Sequence, residues 1–290
     1  MLSLVEISEI VNLDRYPLHQ LDTDAGESLV RDCQSRLDET GSCLLPAFLT
    51  ANAVAAARHD AEESLGRAFQ VNHEFAYDDV NDDTLATPLE SLPPDHPRHF
   101  KSLTRIRFLA RDLIDVNNPA KQLHGWSGMT DFLSRVMQQP TYPSACPLSS
   151  CILTTAEEGE LQEWHFDGID YIVTIMLEKA ASGGEFEYVR GLRKSGQADD
   201  FDGVSSVFKG ERDRVISLPI EPGTLTLFKG KYNLHRAAPV GKDSRRIMAI
   251  LSFEREPNKT GSENYLRLFY GRSLSDLPEA EQVVRFADIG

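Results

Sequence analysis

Between residues 148 and 253 glycine and proline cut the chain into short apolar or alternating runs, and this most narrows the folds open to it. Residues 148–155 read as a strand, and residues 171–177 form a β-branched run suited to a strand buried on both faces. Ser182-Gly183-Gly184 turns into an alternating strand over 185–189. Another run follows at 214–220, and Pro222-Gly223 then sets a tight turn into a strand over 224–228. Residues 245–253 close the series. Many short strands punctuated in this way predict a mainly β fold, a double-stranded β-helix of the jelly-roll, cupin-like kind.

The remainder reads as support for that core. Leu29, Val30, Cys33 and Leu37 have helical spacing over 25–37, and the pattern stops at Glu39-Thr40-Gly41-Ser42. A short buried strand is expected at 43–48, a second helix over 53–68 and a third over 125–138. Residues 72–99 turn acidic and proline-rich, which suits either a solvated loop or a lid over a pocket. The polar stretch 190–213 reads as a surface insertion. Residues 254–290 are expected to pack back on the core, with a helix near 277–284. The 290 residues are therefore expected to form one domain: 1–140 mostly helical support and a possible lid, 148–253 the jelly-roll core, 254–290 a packing segment.

A net charge of −15 argues against a duplex nucleic-acid partner and against an anionic membrane surface, since no basic patch is available for either. A small-molecule substrate is expected instead, with any anionic part held by a few buried arginines. Cys33, Cys43, Cys146 and Cys151 form no Cys-x-x-Cys pair, and the start lacks a basic region followed by an apolar core. These features predict free thiols and a cytoplasmic protein.

The chemistry concentrates around Trp164-His165-Phe166-Asp167-Gly168. In an extended strand His165 and Asp167 share a face, because the side-chain period is two. His235 follows the Pro-Gly strand far downstream. Two imidazoles and one carboxylate make the facial set that holds ferrous iron and leaves positions open for a co-substrate and oxygen. A jelly-roll binding protein with a structural metal, or none, is the competing reading, although structural sites tend to be closed. Trp164 and Phe166 would face away from His165 into packing, and Gln162 and Glu163 suit substrate contact and a solvated loop end equally. A basic stretch holds Arg98, Arg105 and Arg107. Arg105 and Arg107 share one strand face, as a clamp on a substrate carboxylate or as a solvated edge.

His165-Phe166-Asp167, Gly183-Gly184-Glu185-Phe186, Pro222-Gly223-Thr224-Leu225, His235-Arg236-Ala237-Ala238-Pro239-Val240 and Arg245 together resemble the Fe(II)/2-oxoglutarate-dependent dioxygenase superfamily. The resemblance implies Fe(II) bound by His165, Asp167 and His235. It also implies 2-oxoglutarate as co-substrate, its far carboxylate bound by Arg245, with O2 taking the last site. Arg246 is adjacent, and strand alternation lets only one of the two point inward; the superfamily's spacing favours Arg245. Pro94-Asp95-His96-Pro97-Arg98 and the His-Arg-Ala-Ala-Pro-Val phrase look most like a branch acting on free amino acids. That branch includes radical halogenases of free lysine and their hydroxylase relatives. The halogenases carry glycine where the iron-binding acid would stand, so Asp167 implies hydroxylation rather than halogenation. Desaturation or ring formation on a natural-product intermediate is the neighbouring outcome of the same chemistry.

Overall fold

The computed structural model describes residues 3–76, 89–194 and 199–286. Its N-terminal part runs α1 (Leu4–Ile10), α2 (Asp24–Thr40), β1 (Ser42–Leu45), α3 (Ala51–Ser64), β2 (Phe69–Ala76), β3 (Lys101–Leu109), α4 (Pro119–His124), α5 (Ser127–Met137) and β4 (Tyr142–Pro143). The core continues with β5 (Cys151–Ala156), β6 (Leu161–His165), β7 (Ile172–Glu178), β8 (Phe186–Val189), α6 (Phe201–Phe208), β9 (Ile216–Leu218) and β10 (Leu225–Phe228). It ends with β11 (Leu234–Ala237), β12 (Arg246–Leu251), β13 (Phe253–Glu254) and α7 (Glu263–Tyr270).

One antiparallel sheet carries the order β1-β10-β7-β12-β5-β3-β6-β11-β8-β9, with β2 added beside β3. β3 is the hinge of this curl, pairing with β5 through Arg107–Leu109 and with β6 through Thr104 and Arg105. The order therefore divides into two layers, β1-β10-β7-β12-β5 and β6-β11-β8-β9, as expected for a double-stranded β-helix.

Alternation decides what each layer touches. Val173, Ile175 and Leu177 of β7 join Leu225, Leu227, Ile247, Ala249 and Leu251 in one cluster with residues of α1–α5. The intervening Met176 and Met248 form a separate interior cluster with Ile220, against which Phe186 packs. The β-branched run is thus buried on both faces, as its composition predicts. The second layer is covered from outside: Trp164, Phe166, Val189 and Leu234 pack with Val204 and Val207 of α6. The surface insertion expected at 190–213 therefore contains a docked helix.

The helices begin and end where their caps dictate. Thr23 caps α2 through its side chain, and Gly41 ends it in the left-handed region at φ 78°. Thr50 caps α3, which stops at Ser64 rather than continuing to residue 68, and β2 begins at Phe69. The start of the expected loop at 72–99 is consequently strand. Of the possible lid at 72–99, residues 77–88 lie outside the described residues.

The C-terminal helix forms at Glu263–Tyr270 and not at 277–284. There Pro278 precedes a short turn at Glu279–Glu281 that buries nothing, whereas α7 buries Leu266, Phe269 and Tyr270. All four cysteines are free and buried. Among the described residues no helix is long and apolar enough to cross a membrane.

Candidate metal centre

His165 is the last residue of β6, and its partner across the sheet is His235 on β11. Between that pair and Gln162–Ala237 the ladder slips, three steps on β6 matching two on β11. This bulge lets Gln162 and His165 share the inner face, and Gln162 Nε2 lies 3.2 Å from His165 Nε2. The imidazole centroids are 4.2 Å apart.

Each imidazole is oriented by its own backbone. His165 Nδ1 donates to the Glu163 carbonyl at 2.7 Å, and His235 Nδ1 donates to the Asn233 carbonyl at 2.9 Å. A carbonyl only accepts, so both Nδ1 atoms carry hydrogen; each Nε2 then turns a proton toward Asp167 when its ring is charged and a lone pair toward a metal when its ring is neutral. Those Nε2 atoms face Asp167, at 3.6 Å to Oδ1 for His165 and 3.4 Å to Oδ2 for His235. The three donor atoms lie within 4.8 Å of one another. Two imidazole nitrogens and one carboxylate oxygen converging at this spacing suit a divalent transition metal.

The electrostatics agree. Burial alone would push the Asp167 carboxyl up, but the His235 charge and hydrogen bonds from both imidazoles hold it well below the usual carboxylate range. Burial, followed by the neighbouring His235, pushes His165 down, toward the neutral form a metal requires.

Asp167 stands two residues beyond the end of β6, so it does not share a strand with His165 as its spacing suggests. Its N–H donates to the Gly230 carbonyl at 3.2 Å. A Cβ at position 230 would lie 1.7 Å from Asp167 Oδ2, so only glycine makes room for the carboxylate. Gly230 was not visible as a site residue from sequence; it sits in an ordinary-looking Lys-Gly-Lys turn.

Arg245, the arginine expected from the family spacing, does not lie on the inner face, and its neighbour Arg246 does. Arg245 lies before β12 and turns outward, bonding Glu178 at 2.6 Å and Glu62 at 2.5 Å. Arg246 opens β12 and is only 7% exposed. The reason is register: Ile247, Ala249 and Leu251 are needed in the helix-facing cluster, so Arg246 shares the inner face with Met248. Among the described residues its one recorded bond is a weak one from Nη2 to Met248 Sδ at 3.5 Å, and its Nε has no partner. Burial pushes this guanidinium down to about 10. The inner face also holds Phe186, whose ring lies 5.5 Å from that of His235 and is inclined 28° to it. Thr226 Oγ1 is likewise buried without a partner. An unmatched guanidinium and hydroxyl are the polar groups expected of a cradle for a carboxylate ligand.

Two of the candidate substrate arginines are turned away. Thr104 is paired with Gln162 and shares its inner face, which puts Arg105 and Arg107 on the opposite one. Arg105 donates to the Gly159 carbonyl at 2.5 Å, and Arg107 forms ion pairs with Glu157 at 2.8 Å and Glu160 at 3.4 Å. Both brace the β5–β6 turn. Arg98 lies in the turn Pro97–His99 before β3.

Comparison with known proteins agrees with this architecture. No curated protein matches the chain. The carbocyclase SnoK from nogalamycin biosynthesis superposes with a TM-score of 0.55 at 14% identity, covering 89% of this chain and 94% of that one. The epimerase SnoN from the same biosynthesis gives 0.53 at 12% identity over 79% and 83%. HygX from Streptomyces hygroscopicus, solved with nickel, 2-oxoglutarate and hygromycin B, gives 0.51 at 14% identity over 79% and 88%. At these identities the likeness is one of fold. The sequence model of halogenase D matches residues 97–264, which hold both histidines, Asp167 and Arg246. That match spans more than half of the chain, and the chain belongs to the halogenase D family.

Proposed function

We propose that this protein is a non-haem Fe(II)/2-oxoglutarate-dependent oxygenase that hydroxylates an unactivated C–H of a free amino acid or similar small carboxylate. One observation carries the reading: a His165–Asp167–His235 donor set and an unmatched buried guanidinium, Arg246, on the inner face of one curled sheet. His165 Nε2, His235 Nε2 and an Asp167 oxygen would hold iron, and Arg246 would bind the far carboxylate of 2-oxoglutarate in a bidentate fork. Iron, 2-oxoglutarate and O2 together supply an oxidant for C–H bonds, with succinate and CO2 as co-products. The chain's own residues orient and exclude. The Glu163 and Asn233 carbonyls fix both imidazoles, and the Phe186 and Phe228 rings beside His235 keep water from that flank. Asp167 occupies the position that the related halogenases leave to glycine, which supports an alcohol rather than a halide as product. The amino-acid substrate class rests on the family and on the His235–Val240 phrase, and Arg98 is retained as a candidate for the substrate carboxylate.

The test is anaerobic addition of Fe(II) and 2-oxoglutarate, then exposure to air with a panel of free amino acids. A weak visible charge-transfer band, succinate, and a product heavier by one oxygen are expected. A product lighter by two hydrogens would assign desaturation or ring closure. Chlorinated product in the presence of chloride would overturn the hydroxylase reading.

A further inference from the structure

Sheet pairing places His165 and His235, but it does not place Asp167, which lies past the end of β6. The loop after it is tied down a few residues later. The Asp170 side chain is only 13% exposed, and Lys231 Nζ lies 3.2 Å from its Oδ1. Tyr232 Oη donates to the same oxygen at 3.5 Å, and Arg255 bonds Oδ2. Lys231 and Tyr232 follow Gly230, whose carbonyl receives the Asp167 N–H. They precede Asn233, whose carbonyl orients His235. Arg255 comes from the chain just past β13. One carboxylate therefore joins the segment bearing Asp167 to the segment bearing His235, and both to the end of the core.

We propose that Asp170 is a positioning residue for the metal centre: its contacts with Lys231, Tyr232 and Arg255 hold the Asp167 carboxylate over the two imidazoles. Lys231 is 40% and Arg255 64% exposed, so these pairs contribute little to global stability. Their effect is local, on the placement of a ligand three residues away. Outer groups that orient metal ligands are worth about ten- to a hundredfold in metal affinity.

The inference rests on the metal reading of the triad, and the experiment separates the two. Co(II) is titrated anaerobically into the full-length protein and followed by visible absorption, and the melting temperature of the metal-free protein is measured alongside. Asp170→Asn is expected to weaken Co(II) binding about tenfold or more while the metal-free melting temperature moves by less than about 2 °C. Lys231→Met, which removes a partner from the other segment, should act in the same direction. Asp170→Glu should restore part of the affinity. Glu221→Gln, which removes the exposed Glu221–Lys179 pair, should leave it unchanged. Co(II) binding by Asp170→Asn within twofold of wild type would overturn the role of Asp170. So would a loss of affinity matched by a loss of metal-free stability. A wild-type protein that takes up no Co(II) would instead overturn the metal reading itself.

Discussion

His165 and His235 reach the same state by the same local device, an Nδ1–H given to the carbonyl two residues earlier. The convergence of His165, Asp167 and His235 was legible from the sequence, because a histidine, an acid two residues on and a distant histidine have few other reasons to coincide with a Pro-Gly strand. Which of the two adjacent arginines faces inward was not legible. Ile247, Ala249 and Leu251 alternate with Arg246, Met248 and Ile250, and both sets are apolar enough to be buried, so the pattern does not say which faces inward. Arg245 faces Glu178 and Glu62 instead, residues far away in sequence. Arg246→Ala is expected to weaken 2-oxoglutarate binding by roughly 2–5 kcal/mol, upward of about thirtyfold, as read by titration of the Fe(II) protein. Arg245→Ala should leave that affinity nearly unchanged and cost about 1 kcal/mol or less of stability, since its ion pairs are partly exposed. The opposite ranking would return the role to Arg245. At position 230, alanine would collide with Asp167 Oδ2. Gly230→Ala should therefore reduce metal uptake by about tenfold or more with the circular dichroism of the fold retained, and unimpaired uptake would show that the loop relaxes without cost.

At the scale of elements, the strands of the core were readable and the late helices were not. Glycine and proline marked the turns between β5 and β12, and alternation placed Trp164 and Phe166 away from the donors, where they are 2% and 0% exposed. The helix that covers them, α6, lies in a polar stretch and buries Val204 and Val207 against them, with Phe208 packed alongside. Its need for a partner was invisible without the outer face of β6. α7 forms at 263–270 because Leu266, Phe269 and Tyr270 give it a buried face there, which the turn at Glu279–Glu281 lacks. β2 was hidden by the acidic composition that follows it. It is held by pairing along the full length of β3, from Phe69 opposite Phe108 to Ala76 opposite Lys101. Phe166 illustrates how such packing serves the site. It is fully buried beneath α6, between His165 and Asp167 in sequence, with the Arg193 guanidinium 3.9 Å from its ring. Phe166→Ala should cost about 3–5 kcal/mol by chemical denaturation and lower metal affinity as well. A loss of less than about 1 kcal/mol would mean that α6 is not a structural support of the donor strand.

Across the whole molecule, one apolar cluster runs from Ile7 on α1 to Phe253 on β13, so the helices form the wall behind the first sheet layer. His124 on α4 is fully buried in that wall, with Nδ1 accepting from Arg111 at 3.2 Å and Nε2 donating to the Ser252 carbonyl at 2.8 Å. Burial and then the Arg111 charge push it down to about 3. The unfolded chain, with an ordinary histidine near 6.5, binds more protons between these two values. Stability from this group is complete above about pH 6.5 and lost as pH falls toward 3, amounting to roughly 2 kcal/mol lost by pH 5. His124→Gln should flatten the acid limb of the stability profile, and an unchanged slope would exclude His124 as its source. The central claim concerns the inner face of the sheet, which carries three donors and one unmatched guanidinium. Its most direct measurement is anaerobic titration of 2-oxoglutarate into the Fe(II)-loaded protein, followed in the visible range. Wild type and Arg245→Ala should both develop a charge-transfer band at comparable concentrations, Arg246→Ala only at far higher ones, and His235→Ala not at all. No band in wild type, or equal titrations for Arg246→Ala and wild type, would contradict the account.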